Sequence, residues 1–95
     1  MPKKPAVQSW RDSLNSLNSV IPSWENAKGK GWVDEEDLIR LLGLLYKERT
    51  IATNILAKEE ARLWLTKADN NSIEEYNKMA KESEILANKL NGKMN

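Results

Sequence analysis

No proline follows Pro22, and from Asp34 to about residue 68 nothing in the chain stops a helix. Asp34 is a good N-cap, and Glu35, Glu36 and Asp37 join it at the positive end of the helix dipole. Glu36 also stands one turn before Arg40, the spacing of a helical ion pair. A helix over 34–68 is about 50 Å long at 1.5 Å per residue. A chain of 95 residues that commits so much of itself to one rod must lay the remainder along it.

The remainder reads as two further helices. Trp10, Leu14, Leu17 and Ile21 fall at steps of four, three and four, which gathers them on one face of a helix over about 9–21. Ser9 is its expected N-cap and Pro22 its expected end. The ADNNS segment at 68–72 has the composition of a turn, and Ser72 with Glu75 forms a capping box for a helix over about 72–91. Ile73, Tyr76, Met79, Ala80, Ser83, Leu86, Ala87 and Leu90 make its inward stripe, and Gly92 is a natural stop. The expected architecture is all-α: a long central helix in an antiparallel hairpin with a C-terminal helix, plus a shorter N-terminal helix, in a small bundle. Residues 1–8, with two prolines and two lysines, read as a mobile arm, and 9–95 as a single helical domain.

On these lengths the third helix covers the central one from about residue 48 to 67, and the first helix covers the segment before it. That segment, LIRLLGLLYK at 38–47, is apolar except for Arg40, Gly43 and Lys47. One amphipathic helix covers only roughly a third to a half of such a cylinder. Either Trp24 and Trp32, which flank the loop WENAKGKGW, fold over it, or another chain does. The candidate partner-binding residues are therefore Trp24, Trp32, Leu38, Ile39, Leu41, Leu42, Leu45 and Tyr46, with a homodimer as one form of the contact. Of the remaining tryptophans, Trp10 belongs to the core and Trp64 is expected to pack around Ile73 and Tyr76.

Composition removes most chemistry. The chain has no cysteine and no histidine, so it lacks thiolate nucleophiles, disulfides, imidazole metal ligands and the usual general base near neutral pH. The expectation is a non-enzymatic protein without cofactor or metal. Gly29 and Gly31 lie among lysines, but GKGW departs from the phosphate-binding GxxxxGK[ST] pattern, and the helix behind it starts with four acids. Those acids, like Glu59 and Glu60, lack the spacing of a calcium loop. Thr50, Thr53 and Asn54 place polar groups along the long helix, either as a buried layer or, by preference, toward solvent.

Net charge is +1, too small a field to attract a polyanion strongly. Lys3, Lys4, Lys28, Lys30, Lys78, Lys81 and Lys89, with Trp24 or Trp32 for stacking, nevertheless define an alternative, a nucleic-acid-binding accessory protein. The pattern LTKADNNSIEEYNKM places a turn between helices, but Glu74 and Glu75 would open its recognition helix against phosphate. There is no apolar run of membrane-span length and no signal-peptide pattern, which fits a cytoplasmic setting. The sequence thus points to a small protein acting by protein–protein association, as a self-associating subunit or a regulator of a larger assembly.

Overall fold

A computed structural model describes the chain over residues 6–31 and 33–94. Three helices account for nearly all of this: α1 Ala6–Ala27, α2 Glu35–Glu60 and α3 Lys67–Met94. Both α1 and α3 run antiparallel to α2. Arg11 meets Glu60 and Tyr46 meets Glu25 on one side, while Lys58 meets Asp69 and Asp37 meets Lys89 on the other. No Cα of α1 comes within 8 Å of α3. Their side chains still converge over one side of α2, where Trp10 sets its ring edge-on against Tyr76 at a centroid distance of 5.0 Å. The bundle measures 45 × 27 × 20 Å.

The expected class and the central position of α2 hold, but each helix departs from the expected bounds at one end or both. α1 starts at Ala6, so Ser9 lies inside it and residues 6–8 are helical; the rest of the expected arm lies outside the described residues. It also runs through Pro22. The ring of Pro22 is exposed to solvent, and the extra turn beyond it carries Trp24 and Ala27 into the core beside Ile21. That burial outweighs a helix-interior proline penalty of about 3 kcal/mol. α1 ends at Ala27, and Gly29, at φ +79°, is the left-handed residue that reverses the chain after it.

At its start α2 is as expected, with the Asp34 carboxylate accepting from the amides of Glu36 and Asp37 at 2.9 and 3.3 Å. Its end comes at Glu60, eight residues before the expected one. There Leu63 N–H donates to Lys58 O and Arg62 N–H to Glu59 O, with Arg62 left-handed at φ +58°. This is a Schellman ending in which arginine stands where glycine is usual. ADNNS is not a turn but the first turn of α3. Thr66 and Asp69 form the capping box: the Thr66 amide donates to the Asp69 carboxylate at 2.8 Å and the Asp69 amide to the Thr66 hydroxyl at 3.1 Å. Lys58 Nζ reaches the same carboxylate at 2.6 Å and ties the two helix ends together. It is the main cause that holds the Asp69 carboxyl below the usual aspartate range. At the other end α3 passes through Gly92.

These shifts change what is covered. Because α2 ends at Glu60 and α3 runs on to Met94, α3 joins α1 in covering the N-terminal half of α2, and Leu90 is fully buried in the cluster that contains Leu38, Leu41, Leu42 and Leu45. The uncovered apolar arc expected over 38–46 is largely closed within one chain.

Candidate partner-binding site

The inner side of α2 is sealed. Leu38, Leu41, Leu45 and Ala52 are buried there in one cluster with Leu17, Ile21 and Leu90 among others, and Ile55 is buried one turn further on. Among them lies Glu48, only 3% exposed, with Oε2 lacking any hydrogen-bond partner. Burial pushes its carboxyl above the ordinary glutamate value, and the nearby Ser83 hydroxyl offsets part of that rise. The Ser83 hydroxyl donates to Ala80 O at 3.0 Å. Tyr76 is half-buried close by; burial is the main cause raising its phenol, and the Glu48 charge adds to it. The bundle's buried polar pair is therefore Glu48 with Ser83, while Thr50, Thr53 and Asn54 face solvent. The two threonine hydroxyls donate to the carbonyls one turn back, Tyr46 O at 3.0 Å and Arg49 O at 2.7 Å.

Of the eight predicted contact residues, Trp24, Leu38, Leu41, Leu42 and Leu45 are buried within the chain's own core. Trp24 closes over the long helix as one of the two readings of the loop required. Trp32 lies outside the described residues. Ile39 and Tyr46 remain at the surface, 57% and 37% exposed. They belong to an outer face of α2 that points away from the α1–α3 convergence: Ile39, Gly43, Tyr46, Thr50, Thr53 and Ala57, at alternating steps of four and three.

Three shallow cavities follow one another along this face. One, of about 480 Å³, lies between α1 and α2 at Glu25, Lys28, Ile39, Gly43 and Tyr46. The next, of about 370 Å³, lies between α2 and α3 at Tyr46, Thr50, Ile51, Glu75 and Met79. The last, of about 440 Å³, runs over Arg49, Thr53, Asn54 and Ala57. Tyr46 joins the first two. Its hydroxyl donates to Glu25 at 2.7 Å and its ring lies beneath the Arg49 guanidinium at 5.4 Å. The hydrogen bond to Glu25 is the main cause that raises the Tyr46 phenol above its usual range.

No family model, curated protein or solved structure matches the chain.

In the glycine loop the Gly29 amide donates to the chain's own Glu35 carboxylate at 2.8 Å. Among the described residues no group of three or more acids gathers as a metal site. None of the described helices is long and apolar enough to cross a membrane. Trp64 is 95% exposed at the tip of the α2–α3 connection and does not pack on Ile73 or Tyr76 as expected. Trp10 fills that place. The early ending of α2 at Arg62 is the reason: it turns Leu63 and Trp64 outward before α3 begins.

The outer face went unrecognised in the sequence as a unit. Gly43 was visible there, but grouped with Arg40 and Lys47, which lie further round the helix toward α3. The repeated four–three spacing from Ile39 to Ala57 is the signal that finds it.

Proposed function

We propose that the protein is a non-enzymatic helical module that acts by association with another protein chain, along the outer face of α2. The observation that carries this is the open groove from Ile39 to Ala57, where two large apolar side chains stay exposed although α1 and α3 flank it on both sides. An exposed apolar seam between two helices is the surface on which a further helix packs. Self-association and regulation of a larger assembly both use such a surface.

A photo-crosslinking side chain at Thr50, compared with one at Asn77 on the solvent side of α3, tests this in cells that make the protein. Discrete protein adducts at Thr50 and none at Asn77 are the expected result. Equal adducts at both positions, or none at Thr50, would remove the outer face as the contact.

A further inference from the structure

The groove has a charge pattern that its apolar seam does not require. Between Asp37 and Glu59, α2 carries Arg40, Lys47, Arg49 and Lys58 as cations and Glu48 as its one acid, and Glu48 is turned into the core. The surface of α2 along the groove is thus basic without exception. Arg40 is partly offset by Glu82 at 3.8 Å, and Lys58 is paired with Asp69 at 2.6 Å. Lys47 and Arg49 stand on opposite edges of the seam, Lys47 toward α3 and Arg49 toward α1 over the Tyr46 ring. The groove walls add Lys28 and Glu25 from α1 and Glu75 from α3, and Glu25 is engaged by the Tyr46 hydroxyl. The balance is positive, with its two most central charges flanking Tyr46 and Thr50.

From this we infer that the groove receives an amphipathic helix of a different protein, with acidic residues on both flanks of its apolar seam. The inference rests on the association proposed above. A helix is the occupant because alternating four–three spacing is the spacing of a helix–helix seam, and Ile39 to Ala57 spans about 27 Å, or five turns. Docked there, it packs against α2 on the side opposite the convergence of α1 and α3.

A second copy of the chain fits the shape but not the charge. A twofold axis crossing α2 at residue 48 faces Ile39 with Ala57, Gly43 with Thr53 and Tyr46 with Thr50. The same axis brings Lys47 and Arg49 of both copies together at the centre, with no acid of α2 to separate them. Like charges across a seam select against a partner, whereas carboxylates at the flanking positions of a foreign helix meet both cations. A nucleic acid would satisfy the cations but leave Ile39 and the seam without a function.

Two 21-residue probe helices with the same Leu/Ala seam, one with glutamate flanks and one with lysine flanks, are titrated against the full chain by fluorescence anisotropy at low salt. A single-stranded oligonucleotide of similar length is the third probe. The glutamate helix is expected to bind about three- to tenfold more tightly than the lysine helix. The double variant K47E/R49E, with helicity unchanged by circular dichroism, is expected to reverse that order. Equal affinity for the two helices overturns the acidic partner but leaves association at this face in place. Binding of neither helix, or tighter binding of the oligonucleotide, overturns the inference, and so does a concentration-dependent dimer in sedimentation that both helices fail to dissociate. Failure of the wider proposal is read separately, in the adducts at Thr50.

Discussion

α2 has two faces built from the same stretch of sequence, and they differ in what they tolerate. On the inner face Leu38, Leu41, Leu45 and Ala52 are packed among side chains from both neighbouring helices, and even a carboxyl group is enclosed. On the outer face Ile39, Tyr46 and two threonines border open space, and a methyl group added at Gly43 would touch nothing within 4 Å. A helix of mixed apolar and polar residues does not need a uniform environment. Its stability comes from one face, which leaves the other open to solvent.

The largest expected effect belongs to the inner face. Leu41→Ala removes a fully buried side chain and should cost about 2–5 kcal/mol, read from the shift in urea or thermal unfolding. A loss below about 1 kcal/mol would mean that the two faces are less different than the packing indicates.

Glu48 gives a smaller effect with a distinctive pH signature. Its carboxyl is raised above the ordinary glutamate value of 4.5 by burial, so the stability it contributes is full below that value and is lost as pH rises through the folded one. Glu48→Gln should therefore be more stable than the parent at neutral pH, with the difference shrinking as pH falls toward 4.5. Asp69 titrates with the opposite sign. Lowered from 3.8 chiefly by Lys58, it stabilises the fold above that value and loses its contribution as pH drops through its lower folded one. A Glu48→Gln unfolding curve that tracks the parent across this range would show that Glu48 is not enclosed.

The smallest effect is expected for Trp64→Ala. A side chain this exposed contributes within about 0.5 kcal/mol to stability, measurable by the same unfolding experiment. A larger loss would place Trp64 in the core after all and would shift attention from the outer face to the α2–α3 connection.

Much of this fold was legible in residue spacing. The stripe Trp10, Leu14, Leu17, Ile21 continues in the same rhythm to Trp24, and the rhythm, not the proline, decides where α1 ends. Pro22 misled because its cost is local whereas the burial of Trp24 and Ala27 is tertiary. At the other connection, Thr66 and Asp69 spell a capping box as clearly as Ser72 and Glu75 do, but the run of asparagines around them has the composition of a turn. Nothing in the sequence announces a left-handed Arg62, so the end of α2 was not readable there. The candidate face depended on those boundaries. Once α1 and α3 are each longer than expected, five of the predicted contact residues become core, and Ile39 and Tyr46 are what remains outside.

The absence of backbone contact between α1 and α3 has a kinetic consequence. Each packs on α2 through a short connection, so the chain contains two local hairpins that share one helix. Closing either loop costs little entropy, and neither hairpin waits for the other. Folding then has two routes into the native state. Substitutions in α2 that weaken both pairings slow folding on either route, whereas the same loss in α1 or α3 diverts molecules to the other hairpin and appears mainly as faster unfolding.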